Sequence, residues 1–215
     1  MKISIIYQIV FIFFALINFI IARPISYVGG WTLITTNNYH RNSLLTHYTP
    51  SFKYSLGHNI EYWNKNEYWL NMLNLNYLLK RINKKNSQTN FYLKSGFGFL
   101  KSDLKESNTK KEYVSSLKFS SDWETRKEFL AYNCEFIRSE TIKDTLYQSA
   151  RIGFAPYIAN YGAIHSWVMY ELNYMSDTSD KYTSTGILRF FKSTNLLEIG
   201  IDDSKNLLVN YIKRF

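Results

Sequence analysis

SFKYSLGHNIEYW, residues 51–63, alternates between two kinds of side chain. Phe52, Tyr54, Leu56, Ile60 and Tyr62 fall on one face, with His58 the exception; Ser51, Lys53, Ser55, Gly57, Asn59 and Glu61 fall on the other. Successive side chains of extended backbone point to opposite faces, so period two over this length predicts a β-strand and not a helix. The pattern recurs along the chain. Residues 87–101 set Phe91, Leu93, Phe97 and Phe99 against Asn90, Lys94, Gly96 and Gly98. Segments 111–121, 125–138, 147–157, 163–175 and 182–192 behave alike, and 67–81, 196–202 and 206–215 do so less cleanly. Residues 30–36 and 43–49 are short and ambiguous. The expectation is an all-β fold of about twelve antiparallel strands, with ten as the other count, in one domain.

Composition agrees. The 215 residues are 46% hydrophobic and 18% aromatic, which excludes a disordered chain. One cysteine, Cys134, excludes a disulfide scaffold. Beyond the N-terminus no run reaches the roughly 18 apolar residues of a spanning helix. The net charge of +9 is spread over all the segments and not clustered, which argues against nucleic acid as a partner.

The N-terminus has a charged start at Lys2, an apolar stretch from Ile3 to Ile21 and a small residue, Ala22. That order predicts a secretory signal peptide over 1–22, followed by a mature domain over 23–215. An uncleaved membrane anchor is the alternative.

Alternation alone does not say which face meets water. A soluble sandwich turns its apolar face inward; a membrane barrel turns it outward to lipid and keeps polar groups inside. Several segments run past the globular mode of about 5–6 residues and suit strands that cross a bilayer at a tilt. With the N-terminus on the periplasmic side, turns near 49–51, 82–86, 122–124, 158–162 and 193–195 fall on one side. Loops near 37–42, 64–66, 102–110, 139–146, 176–181 and 203–205 fall on the other, with the two longest among them. Trp31, Trp63, Trp69 and Trp123 lie at strand ends, the depth of an interfacial aromatic belt.

The last strand, with Leu207, Val209, Tyr211 and the terminal Phe215 on one face, resembles the closing strand of Gram-negative outer-membrane β-barrel proteins. Lys213 stands where an apolar residue is usual. The resemblance implies a single closed antiparallel transmembrane barrel in the cell outer membrane, surrounded by lipid. It also implies contact with the barrel assembly machinery through the strand ending in Phe215. The segment Arg23–Thr32 resembles the N-terminus of uncharacterised proteobacterial envelope proteins, and the chain is similar in size to twelve-stranded oligosaccharide porins.

If the apolar face meets lipid, the lumen is lined by Lys53, Lys94, Lys118, Arg151, Arg189 and Arg214, with Glu61, Glu135, Glu171 and Glu198. Two functions follow. The charges line a narrow passive channel for small polar or anionic solutes, or they pair into a closed, salt-bridged lumen in a structural barrel. An outer-membrane lipid hydrolase is a third reading, but no histidine has a serine two residues along, as a dyad on one strand face requires. No catalytic residue, metal site or cofactor is expected; His165, Met169 and Glu171 share a face without a recognised ligand spacing. Cys134 falls on the apolar face. The chain is expected to act as a monomer.

Overall fold

The computed structural model describes residues 27–64, 67–102, 111–140, 144–160, 162–178 and 181–215. The predicted signal segment, 1–22, lies outside them. The strands are β1 (Trp31–Asn37), β2 (Arg41–Ser51), β3 (Tyr54–Trp63), β4 (Tyr68–Asn83), β5 (Gln88–Ser102) and β6 (Glu112–Glu124). They continue as β7 (Glu128–Ser139), β8 (Thr145–Phe154), β9 (His165–Met175), β10 (Tyr182–Lys192), β11 (Asn195–Asp202) and β12 (Leu207–Arg214).

Each strand pairs antiparallel with its sequence neighbours, and β12 returns to β1, closing a twelve-stranded barrel. The closing seam runs from Thr32 opposite Arg214 to Asn37 opposite Val209. Closure pairs every strand on both sides, so no edge is left to seek a partner. The start of β1 and the end of β12 share one rim with the β2–β3 turn; that rim is called the turn end here, and the opposite one the loop end.

The outer face is apolar. Leu73 is 71% exposed and Phe97, Tyr113, Ile152, Leu188 and Ile201 are also exposed, whereas Asn59, Glu61, Glu135, Glu171 and Glu198 are buried inside. An apolar exterior around a polar interior is stable only in a hydrocarbon surround, which makes this a transmembrane barrel. Aromatic residues mark both rims: Tyr62 against Trp69 at 4.8 Å and Phe99 against Tyr113 at 5.3 Å at the loop end, and Trp31 against Tyr48 at 5.3 Å at the turn end.

Several sequence expectations change. Lys53 does not line the lumen. It occupies the two-residue turn between β2 and β3, and its side chain is exposed. The alternation crosses that turn without a break in the letters, so parity carried it inward, but a hairpin turn has no inside face. Trp63 is not at the lipid interface: it is 3% exposed within the barrel, since it continues the inward parity of Asn59 and Glu61. In β4 a register shift between Leu78 and Lys80 leaves Lys80 exposed and lets Arg81 donate to Asn90 Oδ1 at 2.7 Å. The extra residue of a bulge inverts the alternation beyond it. The β8–β9 connection, 155–164, belongs to the turn end and is longer than the β5–β6 loop, 103–111, so length does not separate the two ends. The ambiguous 43–49 segment is the middle of a full strand, β2.

Glycines admit close contacts inside. A Cβ on Gly98 would sit 1.9 Å from the Asn71 carbonyl oxygen and 2.7 Å from Met72 Cα, both backbone atoms that cannot step aside.

Candidate functional site

Inward positions of nine of the twelve strands bring the predicted charges into one lumen, around a cavity of about 780 Å³. Of the predicted lining residues, Glu61, Lys94, Lys118, Glu135, Arg151, Glu171, Arg189, Glu198 and Arg214 border this cavity, and Lys53 does not. Arg41, Asp122, Glu124 and Arg126 border it as well. Arg41 was missed because β2 was legible only from residue 43; extending the parity of Ser43 two residues back would have found it.

The charges fall into two ion-pair groups. In the first, Arg41 Nη1 lies 3.4 Å from Glu61 Oε2 and 3.8 Å from Glu135 Oε2, and Lys118 Nζ lies 3.3 Å from Glu135 Oε2. Asn59 Nδ2 and Trp63 Nε1 donate to the Glu61 carboxylate at 2.6 and 3.0 Å. The Arg41 guanidinium also rests on the Trp63 and Tyr147 rings, 5.6 and 5.5 Å from their centroids. In the second, Arg151 lies 2.7 Å from Glu171 Oε2 and 2.8 Å from Glu198 Oε1, and Arg189 lies 2.6 Å from the same Glu198 oxygen. Asn210 Nδ2 donates to the other Glu198 oxygen at 2.9 Å. Three partners on one buried carboxylate, Arg151, Arg189 and Asn210, offset its desolvation, which a lone partner would not.

Lys94 and Arg214 stand apart. Neither has a carboxylate at ion-pair distance among the described residues; Lys94 Nζ lies over the Tyr92 ring, 5.7 Å from its centroid. His47 is buried beside them with neither ring nitrogen bonded.

Apolar groups bound the polar zone. At the loop end, Trp63, Tyr68, Leu70, Met72, Leu100, Val114, Ile137 and Met175 form one cluster inside the wall, with Leu70 at 0% exposure. A second cluster joins Trp167, Met169, Ile187 and Leu208, with Phe129 against it. The cavity reaches from Thr36 and Arg41, beside the β1–β2 loop, to Thr125, Arg126 and Ala159 at the turn end.

No serine lies at hydrogen-bond distance from His47, His58 or His165 among the described residues; His58 Nε2 bonds Asn71 Oδ1 at 2.7 Å. No group of three or more His, Cys, Asp or Glu side chains suits a metal ion among the described residues.

No family profile matches the chain, and no curated protein does. Solved structures do resemble it. KdgM porin aligns over 86% of this chain and 98% of its own at 12% identity, with a TM-score of 0.49. KdgM porin in complex with disordered oligogalacturonate aligns over the same shares at 10% identity and TM-score 0.49. OccAB4 of Acinetobacter baumannii aligns over 85% of this chain and 57% of its own at 12% identity and TM-score 0.42. At this level the likeness is one of general shape. The chain is a closed twelve-stranded transmembrane β-barrel with lipid-facing apolar walls and a charged interior.

Proposed function

We propose that the protein is a narrow passive channel of the Gram-negative outer membrane for small polar or anionic solutes. One observation carries the reading: a cavity lined by charged and apolar groups is bordered by residues near both rims, and two of its cations, Lys94 and Arg214, have no carboxylate at ion-pair distance among the described residues. Pores select by the ring of charge that solutes pass, and paired charges contribute little to such a ring. The chain reaches the membrane by export through the segment 1–22 and works as a monomer in lipid. The assembly machinery engages β12 and the Phe215 that follows it, whose N–H donates to Trp31 O at 2.9 Å across the closing seam.

A second reading has its own support. The buried apolar cluster at the loop end and the two ion-pair groups suit a structural barrel whose lumen does not conduct. Planar-bilayer recording of the refolded protein separates the two: stepwise conductance supports the channel, and its absence over many insertions transfers the reading to the structural barrel. A lipase assay of the same preparation addresses the hydrolase alternative.

A further inference from the structure

We propose that the lumen wall toward the turn end is a binding site for one small oxyanion, a carboxylate or a phosphate, formed by His47, Tyr92, Lys94, Ser120 and Arg214. The site rests on the channel reading only in needing solute access to the lumen, and it narrows that reading to a ligand class.

Burial without partners is the main observation. His47, Tyr92, Ser120 and Arg214 are 3%, 2%, 6% and 6% exposed. Among the described residues, both His47 ring nitrogens, Ser120 Oγ and Arg214 Nε have no hydrogen-bond partner, and Tyr92 Oη has none of good geometry, with the Arg81 side chain beside it. A buried polar group left unpaired is costly, so several in one place point to a bound species that pairs them. Four of these side chains carry a proton to donate, and an oxygen anion accepts such donors.

Position brings the groups together. On the wall of β2, β1 and β12, Thr32 stands opposite His47 on one side and Arg214 on the other. On the wall of β5 and β6, Tyr92 stands opposite Ser120, two residues from Lys94. In the closed strand order β3 and β4 separate the two walls on one side and β7 to β11 on the other, so they lie across the lumen from each other. All five side chains border the same cavity.

Charge sets the ligand class. Arg41, Lys118, Arg151 and Arg189 are taken up by glutamates; of the other cations bordering the cavity, Lys94 and Arg214 stand at the site, while Arg126 at the turn end donates to the Ala159 carbonyl oxygen at 3.4 Å. Asp122 and Glu124 border the cavity too, and Asp122 accepts from Asn90 Nδ2 at 2.7 Å. Their negative charge limits the site to a single compact anion and disfavours a long polyanion.

Isothermal titration of the refolded chain in detergent tests this, at constant ionic strength, with inorganic phosphate, acetate and glucose as separate probes. Saturable one-to-one binding of phosphate or acetate is expected, and which of them binds identifies the source of the oxyanion. Lys94→Met and Arg214→Gln should each weaken it about tenfold, the equivalent of ~1.4 kcal/mol. Lys53→Gln, in the exposed turn, should leave it unchanged. Heat-modifiable gel migration confirms that each variant is folded, and Ser120→Ala supplies a milder change if Arg214→Gln does not assemble. The proposal is overturned if neither anion gives saturable heat, if glucose binds equally well, or if folded Lys94→Met binds like the parent. Binding without conductance steps leaves this site standing and removes the channel; conductance steps without binding do the reverse.

Discussion

Arg151 Nη1 lies 2.8 Å from Glu198 Oε1, although β8 and β11 are separated in the sheet by β9 and β10. The pair therefore crosses a chord of the lumen instead of following the wall. With Glu171 and Arg189 it ties four consecutive strands, β8 to β11, through their interior side chains.

Removing Arg151 is expected to act on stability more than on selectivity. Arg151→Ala leaves two buried carboxylates short of a cation, and breaking such a pair costs about 3–5 kcal/mol. The urea midpoint of the barrel in lipid vesicles should fall, and Arg151→Ala combined with Glu171→Gln should recover part of the loss. A midpoint equal to that of the parent would show that the cross-lumen pair contributes nothing.

Leu70 is fully buried in the loop-end cluster, among Trp63, Met72 and Val114. Leu70→Ala should destabilise by roughly 2–5 kcal/mol through the cavity it leaves. If the cluster limits passage, the same change raises single-channel conductance; an unchanged conductance places the constriction elsewhere.

Gly98 tolerates no Cβ, because the Asn71 carbonyl oxygen occupies that space. Gly98→Ala should abolish heat-modifiable migration, while Gly186→Ala, which faces open space on the outer wall, should preserve it. Equal migration of the two variants would refute the close approach of β4 and β5.

Lys53 has no role in the lumen, since it lies in the β2–β3 turn. Lys53→Glu should leave the reversal potential in a salt gradient unchanged, whereas Lys94→Glu should shift it toward cations. A shift with Lys53→Glu equal to that with Lys94→Glu would contradict the placement.

Asp203, in the β11–β12 loop, accepts the Ser184 backbone N–H at 2.9 Å and the Ser184 hydroxyl at 3.3 Å. These bonds favour the ionised carboxyl and hold it below the usual aspartate range, first through the Ser184 backbone N–H. A depressed carboxyl contributes its interaction above the ordinary aspartate value and loses it as pH falls through the lowered one. The Ser184 amide proton shift should titrate with an acidic midpoint that disappears in Asp203→Asn.

What was legible beforehand follows from how local each property is. Alternation is a property of neighbouring residues, so Phe97 and Phe99 could be placed opposite Lys94 and Gly98 without coordinates. It fails wherever the backbone leaves the pleat. The turn at Lys53 is where a side chain was set on the wrong face, and the bulge before Lys80 is where the alternation of 67–81 loses its regularity. Trp63 was misplaced for the opposite reason: its closeness to a loop outweighed the parity that put Glu61 inside.

The sequence by itself determined the strands, the two faces and the sign of the interior charges, because period two and residue polarity reside in short stretches of chain. Only the closed barrel decided that Arg151 meets Glu198, that Arg41 serves both Glu61 and Glu135, and that Lys94 and Arg214 have no carboxylate at ion-pair distance among the described residues. Those relationships depend on which inward side chains confront one another across the lumen, and that distance is set by strand number, tilt and closure together.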